Sequence, residues 1–304
     1  MRSAYTILFL LVFLKPDYAL AQDSHGCLTR AAALIDRSLF SEAIEIYTEA
    51  MEKDNDYRLF TGRGDAFLMA GMTDEAARDY AMANQLRPGS GYLGLARAYA
   101  LSNQTEDAIS NLKYHLQSAF KLARKDILLD PYFTYMEDSP AWKQLWKDRW
   151  YSQLEDAEAE TEYYVRTGKI ERAREVLSEV EHIYSEQTPI LYLKGLIESA
   201  VNNSSGALKY LGAAVDRDDS TYDAWRLYIE QLGNKGDYLS AANACDRALS
   251  YFPGQTGLIL EKAENLRLAN DRGRALLTAE GYLSLYPDDE LANRQVGIIA
   301  GETG

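Results

Sequence analysis

Histidines, cysteines and paired carboxylates are the residues of this chain that could carry chemistry, and their spacing favours no reaction. The three histidines, His25, His115 and His182, lie far apart, and none has a second histidine or cysteine at the spacing of a metal site. The sequence contains no phosphate-binding loop, nucleophile elbow or zinc-protease motif. Adjacent acids such as Glu155 and Asp156 are typical of solvated helix faces in a chain with 46 acidic residues. We therefore expect no catalytic residue, no metal and no cofactor.

One glycine pattern, formed by Gly89, Gly91 and Gly94, has the spacing of a dinucleotide-binding turn. That turn must follow a β-strand, because the nucleotide lies at the carboxyl edge of a parallel sheet. Here the pattern follows Pro88 and a segment with helical periodicity. We interpret it as a turn between two helices.

The charge balance excludes several classes of partner. Asp and Glu number 46 against 32 Lys and Arg, which gives a net charge of −14. A chain this acidic has no general attraction to nucleic acid or anionic lipid, so we expect neither DNA nor RNA as a partner. Apolar residues make up 47% of the chain, which is enough to bury a sizeable core.

The first 21 residues have the pattern of a secretory signal. A positively charged start at Arg2 precedes an apolar run from Ala4 to Leu14, and the small-residue triplet Ala19-Leu20-Ala21 is typical of a cleavage site. The run is too short to cross a bilayer, which takes about 20 residues. We predict a signal peptide at residues 1–21 and export to the periplasm or cell envelope, the alternative being a buried first helix. The rest of the chain contains no apolar stretch long enough to span a membrane.

Cys27 has a second interpretation, as the lipidated cysteine of a bacterial lipoprotein. That signal requires a leucine-like residue three positions earlier, where this chain has Ser24. We therefore favour a mature chain without a lipid anchor.

Small residues return along the chain at intervals of 32 to 34 residues. Helical spacing places the positions four and seven residues after each of them on the same helix face. Gly or Asn stands five residues before most of them, and these residues tolerate the left-handed conformation that ends a helix. The pattern therefore predicts that most units consist of two helices joined by a turn at this Gly or Asn. The recurring alanines are Ala43, Ala76, Ala108, Ala141, Ala173, Ala207, Ala241 and Ala275.

This period and pattern resemble the tetratricopeptide repeat (TPR), with the best matches in residues 57–90 and 222–255. The resemblance implies an all-α, right-handed α-solenoid of about eight helix-turn-helix repeats plus a C-terminal single helix. One helix pair cannot bury its apolar face alone, so stability comes from stacking. The predicted divisions are units 1–3 in residues 22–115, an irregular unit in 116–153, units 5–8 in 154–289 and a terminal capping helix in 290–304.

The fourth unit departs from the pattern. Asp130-Pro131 interrupts its first helix, residues 130–138 read as a loop, and Ser139-Pro140 restarts a helix. Trp142, Trp146 and Trp150 follow at positions i, i+4 and i+8, which predicts one face of that helix. Two interpretations stay open for this stripe, core packing over the irregular unit and an aromatic docking surface.

The last residues reach the glycine position of a ninth unit, so we expect a lone helix that caps the solenoid. Val296, Ile298 and Ile299 are more apolar than an outer capping face requires. Either this face meets a partner or a second subunit, or the chain is shorter than its ancestor.

The two cysteines belong to the first and the seventh unit of this solenoid. Cys27 and Cys245 should therefore lie beyond the roughly 7 Å between α-carbons that a disulfide allows. We predict two free thiols, or an intermolecular bond through Cys27.

TPR proteins usually bind ligands along the concave face, which the first helix of each pair lines. Members that grip a peptide carboxylate use Lys and Asn at fixed positions, where this chain has Leu28, Ala32, Thr61 and Asp65, so that clamp is absent. The arginines are the best anchors because they make paired hydrogen bonds, the alternative being that they bridge acids within the solenoid. The candidate peptide-binding residues are Arg58, Asp65, Arg97, Tyr192, Arg226 and Glu230.

These observations predict a non-enzymatic protein–protein interaction scaffold of the cell envelope that binds a protein or peptide segment. An alternative is a component of an envelope secretion or assembly complex that acts through self-association at the C-terminal end. A hydrolase acting at the irregular unit is the third hypothesis. The TPR resemblance favours the first, because this family is defined by its shape and not by a reaction.

Overall fold

A computed structural model describes residues 24–185, 187–217 and 220–303. All regular elements within these ranges are helical. The predicted signal segment at residues 1–21 lies outside them. None of the described helices combines the length and the hydropathy needed to cross a bilayer.

Seven helix pairs and one irregular unit follow one another along the described chain, and α17 (Glu290–Thr303) follows the last pair. The pairs are α1 (Ser24–Asp36) with α2 (Phe40–Met51), α3 (Tyr57–Met69) with α4 (Thr73–Leu86), α5 (Tyr92–Leu101) with α6 (Thr105–Leu116), α9 (Gln153–Arg166) with α10 (Ile170–Tyr184), α11 (Thr188–Ala200) with α12 (Ser204–Val215), α13 (Tyr222–Asn234) with α14 (Tyr238–Tyr251), and α15 (Gly257–Leu268) with α16 (Arg272–Leu285). The two helices of each regular pair pack against each other and neighbouring regular pairs stack, so the predicted all-α solenoid of helix-turn-helix repeats is confirmed.

The turn inside each regular pair is made by one residue in the left-handed conformation. Gly71, for example, has a φ of 78°, and Asn103 has a φ of 58°. At the Gly71 turn the amide of Met72 donates to the carbonyl of Phe67 at 2.8 Å, which closes the end of α3. The predicted stop positions with positive φ are Ser38, Gly71, Asn103, Gly168, Asn202, Gly236 and Asn270.

Close approach of the helices explains why the recurring residues are small. The ring of Tyr80 lies between two glycines of neighbouring first helices. A Cβ on Gly64 would lie 2.8 Å from that ring, and one on Gly94 would lie 2.3 Å from it. All the recurring alanines are fully buried except Ala141, which belongs to the irregular unit and is partly exposed.

The irregular unit consists of α7 (Arg124–Leu128), a 3-10 helix (Pro131–Met136) and α8 (Pro140–Leu145). The predicted loop is therefore partly helical, because Asp130 accepts a hydrogen bond from the amide of Tyr132 and caps the 3-10 helix. The predicted helical face of three tryptophans is wrong. Helix α8 ends at Leu145, and the indole of Trp150 folds back to donate to the carbonyl of Leu145 at 2.7 Å.

The two ends of the described solenoid meet, which closes it into a ring. The Arg37 guanidinium donates to the carbonyl of Leu285 at 3.1 Å, and the Tyr286 hydroxyl donates to the Asp36 carboxylate at 2.6 Å. Ala33 is buried in an apolar cluster with residues of α15, α16 and α17. We call this contact of α1 with the last units the seam.

Helix α17 covers the apolar end of α16 only in part. Ile299 is fully buried against Ala275 and Ala279, so the expectation of an exposed apolar face is wrong at this position. Ile298 is 46% exposed and Leu291 is 77% exposed. Association of two subunits through this end stays a prediction.

The packing of Tyr80 predicts the cost of a single added methyl group. We expect Gly94→Ala to lower the free energy of unfolding by about 1–3 kcal/mol, because the new Cβ overlaps a buried ring that the opposite glycine holds in place. Gly257→Ala is the matched control, since a Cβ there meets nothing within 4 Å. Urea unfolding followed by circular dichroism measures both variants, and equal midpoints would contradict the close-approach argument.

Candidate functional site

A cavity of about 800 Å³ lies inside the ring and is lined by residues from both of its ends. We call it the central cavity. Leu28 and Ala32 of α1, Leu68 of α3 and Tyr132 of the irregular unit supply much of its apolar wall. Pro253 and Gly254, from the turn between α14 and α15, also line it, and Gly254 lies next to Ala32. Its volume is in the range of ligand-binding pockets, which is about 300–1,000 Å³.

Three of the six candidate residues, Arg58, Asp65 and Arg97, line the central cavity. Each arginine is paired within the chain. The Nε and Nη2 atoms of Arg58 donate to one carboxylate oxygen of Asp56 at 2.8 and 2.6 Å. The Nε atom of Arg97 donates to Asp130 at 2.7 Å, and Asp130 is itself buried. Both arginines therefore bridge acids of the solenoid, the alternative that the sequence left open.

Asp65 is held in the cavity wall by a tyrosine. The Tyr80 hydroxyl donates to its carboxylate at 2.6 Å. Burial raises the pKa of the Asp65 carboxyl, while the Tyr80 hydrogen bond and the charge of Arg97 act in the opposite direction. The same burial raises the pKa of Tyr80 well above its ordinary value, so the hydroxyl stays a donor.

With both arginines paired, the central cavity presents a net negative charge to a ligand. Four carboxylates line it, those of Asp36, Asp65, Asp126 and Asp130, against the two arginines. Asp126 is exposed at its edge. Because the guanidinium groups already bind carboxylates of this chain, an incoming anion would have to displace them. The wall is better suited to apolar and cationic groups.

A second cavity of about 390 Å³ lies beside the irregular unit, and we call it the lateral cavity. Lys121 and Lys125 line one side, and Glu155, Glu158 and Glu162 of α9 line the other. Two ion pairs cross between these sides, Lys121 with Glu155 at 2.7 Å and Lys125 with Glu162 at 3.4 Å.

Tyr192, the fourth candidate, lies in the wall of the lateral cavity and not in the central one. Its hydroxyl donates to Glu162 at 3.2 Å. Burial is the main cause that raises the pKa of Tyr192, and the charge of Glu162 adds to it. The side chain is therefore tied into α9 and has little free surface.

The last two candidates lie apart from both cavities. Arg226 and Glu230 are exposed on α13 and are not among the residues that line either cavity. Arg226 lies 3.9 Å from Asp223 in an exposed pair. The structure thus brings together three of the six candidates and separates the other three.

The three tryptophans pack inward. The ring of Trp142 is buried and lies 5.8 Å from the ring of Phe133 and 5.7 Å from that of Trp146. The Arg124 guanidinium lies over the Trp146 ring at 5.2 Å. These contacts support the core-packing interpretation, and docking at the stripe stays a prediction.

Sequence reasoning missed the residues that hold the candidates in place. Tyr80, Asp130 and the Pro253-Gly254 turn are all part of the central site. The position of Tyr80 in the repeat could have indicated an inward side chain. Asp130 lies in the irregular unit, where the repeat gives no register, and the turn reaches the cavity only because the ring closes.

No set of three His, Cys, Asp or Glu side chains in the described ranges is arranged to hold a metal ion. The buried imidazole of His115 has a structural role, since its Nε2 atom accepts from the amide of Leu122 at 3.1 Å. Neither cysteine forms a disulfide within the described chain, an intermolecular bond through Cys27 stays a prediction, and burial raises the pKa of Cys245 to about 12.

No protein-family model matches the chain, and no curated protein matches it significantly. Several solved structures do match the chain. The chain is similar to a crystal structure of the Cut9–Hcn1 hetero-tetramer of APC/C, with 15% identity, a TM-score of 0.41 and coverage of 93% of this chain and 57% of that one. For the C-terminal part of a TPR repeat-containing protein from Cytophaga hutchinsonii, the identity is 12%, the TM-score 0.39 and the coverage 88% and 99%.

YrrB, described as a TPR protein with an unusual peptide-binding site, is 14% identical, with a TM-score of 0.32 and coverage of 82% of this chain and 96% of that one. Because all three likenesses are this distant, the fold is assigned on the chain's own helix pairs, left-handed turns and close-packed small residues. The fold is a TPR-type helical solenoid.

The environment of Glu158 predicts a pH-dependent effect on stability. Burial is the main cause that raises the pKa of this carboxyl to about 7, and the charges of Glu162 and Glu155 add to it. Since the folded state favours the protonated form, folding loses stability as the pH rises from the ordinary value of 4.5 through about 7. At about pH 8 we expect Glu158→Gln to have a free energy of unfolding higher than that of the parent by on the order of 1 kcal/mol. Its denaturation midpoint should therefore lie at a higher denaturant concentration.

At about pH 4 the same substitution should change little, because the parent carboxyl is then neutral in the folded state. Glu179→Gln, at an exposed position of α10, is the matched control. A Glu158→Gln effect of the same size at both pH values would contradict the assignment.

Proposed function

We propose that this protein is a non-enzymatic interaction scaffold of the cell envelope and that it binds an extended segment of a partner protein in the central cavity. The predicted signal at residues 1–21 supports export. The central cavity supports binding, because it is concave, mostly apolar and contains a few fixed polar groups.

The observation that carries the proposal is the internal pairing of both arginines in the cavity wall. With Arg58 bound to Asp56 and Arg97 bound to Asp130, the wall is apolar with an excess of carboxylate. The partner segment therefore carries apolar side chains together with Lys or Arg. Electrostatic complementarity of this kind contributes more to specificity and association rate than to affinity.

A second candidate function is self-association at the C-terminal end, as in a component of an envelope assembly complex. Leu291 and Ile298 on the outside of α17 favour it, since both are exposed apolar side chains on the last helix. Sedimentation of the parent and of Leu291→Asp at high concentration tests this function separately. A monomer in both cases would count against it.

A library of random short peptides displayed on phage tests the main proposal without a known partner. We expect selected peptides to be rich in Leu, Ile or Phe and in Lys or Arg. Asp126→Lys reverses a charge at the edge that the central cavity shares with the lateral cavity, and it should weaken the binding of these peptides by about threefold to tenfold. Glu49→Lys, which makes the same change on the exposed face of α2, should leave their affinity unchanged.

Two results would contradict the proposal. One is selection of acidic peptides that bind Asp126→Lys more tightly than the parent. The other is equal weakening by Asp126→Lys and Glu49→Lys, which would indicate an effect of overall charge and not of the central cavity.

A further inference from the structure

We propose that the ring is a two-part clamp whose seam opens to admit a partner segment to the central cavity. The N-terminal half comprises residues 24–151 and the C-terminal half residues 152–303. The two halves move about the junction between α8 and α9. What enters the cavity rests on the proposed function, whereas the motion itself does not.

The central cavity is bounded by both halves. Leu28, Arg58 and Arg97 belong to the N-terminal half, and Pro253 and Gly254 belong to the C-terminal half. Because the two walls lie on opposite sides of the seam, any separation of the halves there widens the cavity. A partner segment that is folded at both ends and passes through the ring could enter only through such an opening.

The junction is the point at which the helix stack is interrupted. Between regular units the second helix of one unit packs on the first helix of the next, as α4 does on α5 and α12 on α13, and α6 packs on α8 of the irregular unit. Helices α8 and α9, which follow one another in the chain, do not stack in this way. The apolar cluster around Trp142 and Leu145 ends at the junction, and a separate cluster begins at Leu154.

Polar contacts and a void take the place of the missing core at the junction. Lys121 pairs with Glu155, and the exposed Lys125 pairs with Glu162, across the lateral cavity. Packed cores resist deformation, whereas partly exposed ion pairs beside a cavity rearrange at low cost. The junction is therefore the natural hinge of the ring.

The seam is the second weak contact between the halves. Its hydrogen bonds are those of Arg37 with the Leu285 carbonyl and of Tyr286 with Asp36. The Tyr286 hydroxyl also lies 2.8 Å from the Thr256 hydroxyl. Ala33 contributes only a small side chain to the apolar part of the seam. Small, polar interfaces within one chain commonly permit relative motion of the parts they join.

Pulsed electron paramagnetic resonance on the full chain tests the motion without any ligand. Spin labels on Glu42→Cys of α2 and Glu280→Cys of α16, both exposed, report the separation of the halves in a Cys27→Ser background. Cys245 is fully buried and will not label. We expect two distance populations. Tyr286→Phe should move population to the longer distance, because it removes the hydroxyl that bonds Asp36.

The control for that variant is Tyr114→Phe, which alters an exposed tyrosine far from the seam. A single narrow distance that Tyr286→Phe does not change would overturn the clamp. That result would leave peptide binding, and so the proposed function, unaffected.

A disulfide across the seam tests whether opening controls entry. A Cβ built on Gly254 lies 3.8 Å from the Cβ of Ala32, the mean separation in disulfides, so Ala32→Cys with Gly254→Cys should lock the ring on oxidation. The probe is the set of peptides selected from the phage library, each fused at both ends to a folded domain. We expect their association rate to fall about tenfold on oxidation and to recover on reduction.

The single variants Ala32→Cys and Gly254→Cys should show no dependence on oxidation. Equal association rates for the oxidised and reduced double variant would overturn the gating role. If no peptide binds either form, the proposed function fails, and the distance measurement alone decides whether the clamp moves.

Discussion

Close approach of helices at small residues is the constraint on which this structure depends. The ring of Tyr80 is in contact with Gly64 and Gly94 at the same time, so it ties three successive helices to one position. Its hydroxyl then reaches Asp65 and fixes that carboxylate at the cavity wall. One side chain thus connects the packing of the repeats to the polar chemistry of the cavity, and neither could be altered without the other.

The local part of the fold could be predicted because it is encoded within each unit. A left-handed residue such as Asn103 ends one helix, and a small residue such as Ala108 allows the next one to approach. The irregular unit could not be predicted to the same depth. Its helices are short and are set by individual contacts, such as the bond from the Trp150 indole to the Leu145 carbonyl, which no periodic pattern specifies.

Ring closure could not be predicted from the sequence, for a different reason. The contact between Tyr286 and Asp36 joins residues 250 positions apart. Whether two such residues meet depends on the sum of many small rotations between neighbouring units, and an error of a few degrees in each separates the ends. The same holds for the central cavity. Helical spacing indicated that Arg58, Asp65 and Arg97 face one side, but not that the Pro253-Gly254 turn meets α1 and completes the wall.

The charge of the chain explains why the seam can hold the ring closed and still open. The chain has a net charge of −14, so bringing its ends together costs electrostatic energy. The seam limits that cost by placing donors against acids and carbonyls: a tyrosine hydroxyl meets Asp36, and a guanidinium meets the Leu285 carbonyl. A seam built from an apolar core would hold the ring shut, and one built from acids alone would not close. Donor-to-acceptor contacts beside a small apolar cluster lie between these limits, since each such contact contributes little in water and is easily exchanged for hydration.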